Sequence, residues 1–174
     1  VITNHSSGKM GYALAEAARD RGADVVLVTA PTNLPEPALV NVVQVKTAEQ
    51  MGEAIQGHLS KADALVMAAA VADYKPATVA DQKIKKAEDG LNISLAKTTD
   101  ILKSAKGNFV RVGFAAESQK LVENAKAKVG SKQLDLIVAN DITAEGSGFG
   151  SDTNQVTLID RDLQVEELPL LTKY

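Results

Sequence analysis

A chain of 174 residues is the size of one domain and can bury roughly two thirds of its unfolded surface in a core. Its net charge of −3 argues against a general nucleic-acid or membrane surface, although a local group of lysines could still serve a small phosphate ligand. It has no cysteine and only two isolated histidines, His5 and His58, which exclude a disulfide framework, a thiolate nucleophile and a metal-ligand spacing.

The first distinctive stretch is Asn4-His5-Ser6-Ser7-Gly8-Lys9-Met10-Gly11, a polar, glycine-containing loop running into a helical pattern over 12–21. Free N–H groups at such a helix start, with the positive end of the dipole, bind phosphate or carboxylate. Ser6 and Ser7 can cap or donate, Gly8 and Gly11 allow close approach, and Lys9 adds charge. The same residues read equally as an ordinary capped helix start. A Walker loop is excluded, since Thr3 and Met10 stand where it needs Gly and Ser or Thr. The dinucleotide fingerprint is also absent, and the next strand ends Val28-Thr29-Ala30 without a ribose-binding acid.

The helical pattern places Ala13, Leu14, Ala17 and Ala18 on one face, with Gly22 as its stop. The β-branched run at 25–28 predicts a strand buried on both faces of a parallel sheet, and Pro31, Pro35 and Pro37 an extended loop. A strand at 42–45 precedes Thr47-x-x-Gln50, the spacing of a capping box for a helix to about residue 59, with His58 at its end. A buried strand over 65–70 leads into Val71-Ala72-Asp73-Tyr74-Lys75-Pro76, at the carboxyl end where open α/β sheets bind ligands.

From 78 to 96 the period changes. Residues 82–86 and 91–95 flank Asp89-Gly90, predicting an antiparallel hairpin. Period two puts Lys83 and Lys85 on one side, which from spacing alone favours the wet face of an edge hairpin over a triphosphate site. Thr98-Thr99-Asp100 caps a short helix to about 106; a strand at 110–114, a helix at 118–129 and a strand at 134–139 follow. In the tail, 154–159 pairs with 163–168 as a hairpin. The fold expected is α/β: a Rossmann-like, doubly wound, mainly parallel sheet with helices on both faces and antiparallel hairpin additions.

Four segments carry a family likeness: Asn4 to Gly11, Ala69-Ala70-Val71-Ala72-Asp73-Tyr74, Lys83-Ile84-Lys85-Lys86 and Gly113-Phe114-Ala115-Ala116-Glu117, with Ala139-Asn140-Asp141 after them. In this order and spacing the chain resembles the bacterial phosphopantothenoylcysteine synthetases, also called phosphopantothenate–cysteine ligases. The resemblance implies that the 4′-phosphopantothenate carboxylate attacks the α-phosphate of CTP, releasing pyrophosphate, and that the amine of L-cysteine then displaces CMP from the acyl-cytidylate. It gives Asn4 a role in that second step and places Lys83 on a mobile flap over the nucleotide phosphates, making these the catalytic pair. The nucleotide pocket it implies uses Ala68, Ala69, Asp73, Lys83, Thr99, Asp100, Ile101, Leu102, Phe114, Lys128 and Lys132; the substrate set is Asn4, Ser6, Ser7, Gly8 and Ala70. Magnesium would bridge phosphates with few protein ligands, so no metal-binding residue is assigned.

The resemblance further implies a homodimer; no apolar run reaches the ~20 residues of a membrane span and no signal-peptide pattern opens the chain, so a cytoplasmic location is the default expectation. The family begins with one more strand and a Gly-Gly-Thr-Arg-Glu loop and ends with a further helix, so residues 1–174 are expected to be a single synthetase domain truncated at both ends. In many bacteria that domain follows a flavin-dependent phosphopantothenoylcysteine decarboxylase, and FMN would belong only to such a fused domain. Two other functions stay in view: a non-catalytic nucleotide-binding or dimerisation fragment, and an NAD(P)-dependent oxidoreductase, suggested by strand and helix alternation alone.

Overall fold

The structure is a computed structural model. It describes residues 6–80, 82–84, 92–117, 119–141 and 151–174.

Helix α1 spans Lys9–Asp20 and starts earlier than its apolar pattern predicts, because Gly8 takes a left-handed N-cap conformation with φ 77°. No side chain caps it in the usual way; Ser7 Oγ accepts the Lys9 N–H at 3.4 Å. Its end is as expected, with Gly22 at φ 87° and the Gly22 and Ala23 N–H groups bonded to Arg19 and Ala18 carbonyls. The buried residues are Tyr12, Ala13 and Ala15, whereas Leu14, Ala17 and Ala18 are half-buried. Tyr12 turns the buried stripe, its hydroxyl accepting from Thr32 Oγ1 at 3.1 Å.

Strands β1 (Val26–Thr29) and β2 (Asn41–Gln44) form a parallel pair. The first is less buried than expected: Val26 is 37% exposed and Leu27 and Val28 are half-buried, and among the described residues β1 pairs with β2 alone. Helix α2 (Ala48–His58) has the complete capping box, Thr47 accepting from the Gln50 N–H and Gln50 from the Thr47 N–H. A 3-10 turn, Leu59–Lys61, continues it, and His58 is exposed at its end.

Strand β3 (Ala64–Met67) is shorter than predicted, and Ala68, Ala69 and Ala70 leave it as loop. An antiparallel excursion follows as expected, but its strands lie nearer the base: β4 (Tyr74–Pro76) pairs with β5 (Leu95–Lys97). Residues 82–84 carry no regular structure, and the Asp89-Gly90 turn lies outside the described residues. Helix α3 (Ile101–Ser104), strand β6 (Val110–Glu117), helix α4 (Leu121–Lys132) and strand β7 (Leu136–Asp141) come next. The tail supplies β8 (Thr153–Asn154), β9 (Val156–Asp160), β10 (Val165–Glu167) and β11 (Leu171–Thr172).

The main sheet runs β10-β9-β7-β6-β3, parallel between β3, β6 and β7 and antiparallel beyond. The predicted tail hairpin is therefore more than an addition. Its first strand completes the core, where Ile159 and Ala139 are 0% exposed and Ile137 1%, covered by Ala125 and Val129 of α4. A second cluster, around Met51, Ile55, Ile101 and Phe109, receives Val28 and Val43 from the β1–β2 pair and Leu65 and Met67 from β3. The two sheets thus share a core through side chains, while no ladder hydrogen bond joins them among the described residues.

Candidate functional site

The carboxyl ends of β3 and β6 assemble most of the expected nucleotide residues. The ladder between these strands ends at Met67 opposite Gly113, so β6 projects four residues further, from Phe114 to Glu117, paired with β7. The loop after β3 exposes Ala69 and Asp73 and half-buries Ala68 and Ala70. Two bonds tie its end to the segment after β5: the Thr98 N–H donates to the Asp73 carbonyl at 2.9 Å, and the Thr98 hydroxyl to the Ala72 carbonyl at 2.6 Å. Lys75, within the ribbon, pairs with Glu49 of α2 and fixes the ribbon's base.

Asp100 caps α3, accepting the Lys103 N–H at 3.1 Å, and its other oxygen meets Lys132 Nζ at 3.0 Å. Burial acts to raise the Asp100 pKa, but the Lys103 N–H and the Lys132 ammonium outweigh it, so the carboxyl sits below its ordinary value. Ile101 and Leu102 are core side chains, leaving their backbone for any ligand, while Thr99 is exposed. One turn before Lys132 on α4, Lys128 Nζ donates to Glu117 at 2.5 Å, and Asn124 Nδ2 donates to the same carboxylate at 3.0 Å. At Glu117 burial again acts upward and is outweighed by the Lys128 and Asn124 donors. Phe114 stands half-buried on β6 below this rim.

The hydrogen bonds described for Ser7 and Gly8 are local, from the Lys9 N–H and the Tyr12 N–H, and a Cβ at Gly8 would stand 2.8 Å from Thr32 Cγ2; no described bond links them to the Asp73 group. Ser6 is exposed beside them. An open groove of about 420 Å³ runs along this side of α1, lined by Lys9, Tyr12, Leu34, Asp152, Lys173 and Tyr174. Lys9 bonds Asp152 at 2.7 Å, and Tyr174 bonds Asp20 further along the helix. Burial, then the neighbouring Lys9 charge, pushes the Lys173 pKa down.

The structure therefore brings together Ala68, Ala69, Ala70, Asp73, Thr99, Asp100, Ile101, Leu102, Phe114, Lys128 and Lys132. Lys83 is exposed, on residues 82–84, with no described link to this group, and Asn4 lies outside the described residues. Sequence reasoning missed Thr98, Glu117 and the tail residues Asp152, Lys173 and Tyr174. Glu117 had a local signal, a carboxylate ending a strand just before the lysine-bearing helix; the tail contacts span more than a hundred residues and have none. The described residues contain no group of three His, Cys, Asp or Glu that could hold a metal ion, and no helix long and apolar enough to cross a membrane.

An exposed carboxylate and two ammonium groups one helical turn apart can hold, respectively, an amino or hydroxyl donor and a polyphosphate. The chain is 46% identical over 99% of its length to the coenzyme A biosynthesis bifunctional protein CoaBC of Bacillus subtilis, of which it covers 43%. The crystal structure of the C-terminal domain of a CoaBC protein superposes with a TM-score of 0.82 at 42% identity, covering 99% of this chain and 78% of that one. A Cab2 variant in complex with phosphopantothenate-cysteine shares the fold at a TM-score of 0.75 and 16% identity, covering 97% of this chain and 73% of that one. The chain spans less than half the length of the curated relatives it matches. The family model of the DNA/pantothenate metabolism flavoprotein C-terminal domain matches residues 1–174 throughout, and the chain belongs to that family.

Proposed function

We propose that this chain acts as one synthetase domain that ligates 4′-phosphopantothenate to L-cysteine at the expense of CTP, a step of coenzyme A biosynthesis. The observation that carries the reading is the pair Lys128 and Lys132, ion-paired to Glu117 at the end of β6 and to Asp100, two residues after the Thr98 that ties down the Asp73 turn. In the first step a carboxylate oxygen of phosphopantothenate forms a bond to the α-phosphorus and the bond to pyrophosphate breaks. In the second the cysteine nitrogen bonds to the acyl carbon, the C–O bond to CMP breaks, and the amine releases its proton to water.

The chain's contribution is binding and charge. Lys128 and Lys132 bind the polyphosphate and offset its charge before as well as during pyrophosphate departure, a reaction that needs positioning rather than a protein nucleophile. Asp73 accepts a hydrogen bond from the base or ribose, and Phe114 offers an apolar wall beneath. Magnesium, held by phosphate oxygens, would add further neutralisation; this fits a rim whose carboxylates, Glu117 and Asp100, are already paired with lysines. Asn4 and Lys83 complete the proposal, Asn4 on the acyl-cytidylate and Lys83 on the phosphates. So does the α1 end, where Ser6, Ser7 and Gly8, with Ala70 across the rim, would hold phosphopantothenate.

A homodimer in the cytoplasm belongs to the same reading, supported by the apolar side chains exposed around the β4–β5 ribbon, Tyr74, Leu95, Ile93 and Val79. So does a fused or associated flavin-dependent decarboxylase, supported by the bifunctional relatives. The test is pyrophosphate release from CTP and magnesium, with and without 4′-phosphopantothenate and with ATP in parallel. Release that requires phosphopantothenate, prefers CTP and falls at least tenfold in K128M is expected. Saturable CTP binding without release would instead make this a nucleotide-binding fragment, and neither binding nor release would reject the reading.

A further inference from the structure

The Lys128 ammonium is held from behind. Glu117 is the last residue of β6, in the part of that strand that extends past β3, and its side chain is only 14% exposed. Its two oxygens take different donors from the same helix: Oε2 accepts from Asn124 at 3.0 Å and Oε1 from Lys128 at 2.5 Å. Asn124 and Lys128 are four residues apart and so lie on one face of α4. Asn124 is itself oriented, donating also to the Gln119 carbonyl at 3.1 Å. Lys128 stays 40% exposed at its side chain, so an ammonium anchored on its inner side keeps N–H donors turned outward.

Lysine is a flexible four-carbon stem bearing three donors, and much of its potential affinity is lost when that stem must be ordered on binding. We infer that Glu117 is a positioning residue for nucleotide binding: from the end of β6, with Asn124 beside it, it fixes the Lys128 ammonium at the rim before the polyphosphate arrives. The inference rests on the function proposed above. Asp100 and Lys132, one helical turn further on, repeat the arrangement at 3.0 Å, so both lysines meet the ligand already oriented by acids from separate segments. Glu117 has no direct part in the bond changes. Its effect passes through Lys128 and falls on nucleotide affinity.

The experiment is a double-mutant cycle in the whole protein, with E117Q, K128M and the pair, measuring kcat, KM for CTP and the melting temperature. E117Q keeps the side chain's size and removes its charge. It is expected to raise KM for CTP about tenfold with kcat within about twofold, and to add less than about twofold when K128M is already present. E117D, which restores the charge, should recover part of the loss. A purely structural tie between helix and strand would lower the melting temperature without this selective rise in KM.

Asn124→Ala removes one donor while leaving the ion pair, and keeps the claim testable should E117Q fold poorly; a smaller rise in KM, about threefold, is expected. If K128M raises KM while E117Q and N124A leave it unchanged, or if the E117Q and K128M effects multiply, the positioning role is overturned and the function stands. If K128M itself leaves KM for CTP unchanged, the positioning role falls, and the proposed function is decided by pyrophosphate release in the unsubstituted protein.

Discussion

Thr98 holds Asp73 in place from across the base of the antiparallel ribbon, its N–H on the Asp73 carbonyl at 2.9 Å and its hydroxyl on the Ala72 carbonyl at 2.6 Å. Two bonds from one residue fix both the position and the direction of the turn that carries the exposed carboxylate. Thr98→Val keeps the shape and the N–H bond but strips the hydroxyl from a half-buried carbonyl, a loss of about 1 kcal/mol. That corresponds to a rise in KM for CTP of about fivefold, with pyrophosphate release at saturation little changed. Steady-state kinetics on the variant checks this, and an unchanged KM would show that Asp73 is held by other means.

The acid side of the stability curve follows from Glu117 and Asp100. Both folded-state pKa values lie below their ordinary ones, because donors from α4 and the α3 cap outweigh the upward push of burial. A depressed carboxyl contributes stability that is full above its unfolded pKa, about 4.3 for Glu and 3.9 for Asp, and that is lost as pH falls through the folded value. Wild-type protein should therefore lose stability steeply from about pH 4.5 downward. E117Q, lacking one of these contributions at neutral pH, should lose less over the same range. Urea midpoints at about pH 7 and pH 3.5 for both proteins test the sign.

Gly113 lies where β6 passes over the core. A Cβ there would stand 2.8 Å from Leu134 Cδ1 and 3.3 Å from Leu102 Cδ2, both in buried side chains. Gly113→Ala is expected to destabilise by about 1–3 kcal/mol through overpacking. Because Leu102 follows directly after Ile101 and Asp100, a shift of that side chain also disturbs the segment facing Lys132. Denaturant unfolding should show the loss of stability, and CTP affinity should fall with it.

The α2 capping box gives a prediction confined to stability. Thr47 accepts the Gln50 N–H at 3.1 Å and Gln50 Oε1 accepts the Lys46 N–H at 2.8 Å. Thr47→Ala should destabilise by about 0.5–2 kcal/mol and leave KM for CTP unchanged. A kinetic effect would mean that this helix start communicates with the rim through Glu49 and Lys75.

What the sequence made legible was set within a few residues. Thr47 with Gln50, Asp100 before Ile101, and Gly22 after Asp20 each act on backbone groups two to four positions away, and each does in the structure what its spacing predicts. Lys128 and Lys132 on one helical face could be read in the same way. The rest depended on distant partners. The tail read as a local hairpin of 154–159 with 163–168, but local pairing says nothing of which further neighbour a strand takes, so Ile159 beside Ile137 was beyond reach. The apolar run ending at Val28 indicated two covered faces, yet how far each residue is shielded depends on distant elements, and Val26 stays exposed while Leu27 and Val28 are half-buried. The ribbon pairs Tyr74–Pro76 with Leu95–Lys97, and the Thr98 N–H on the Asp73 carbonyl adjoins it from outside both strands, a contact that alternation within a strand does not predict.

That no ladder hydrogen bond joins the two sheets among the described residues bears on how the molecule opens. The β6–β7–β9 ladders are centred on Ile137, Ala139 and Ile159, whose side chains are almost wholly shielded, whereas β1 and β2 bond each other and lean on the shared cluster through Val28 and Val43. Backbone amides in β7 should exchange with deuterium only on global unfolding, and those of Leu27 and Val28 through a lower-energy local opening. The half that bears Lys128 would then remain a rigid template while the other half breathes around α1.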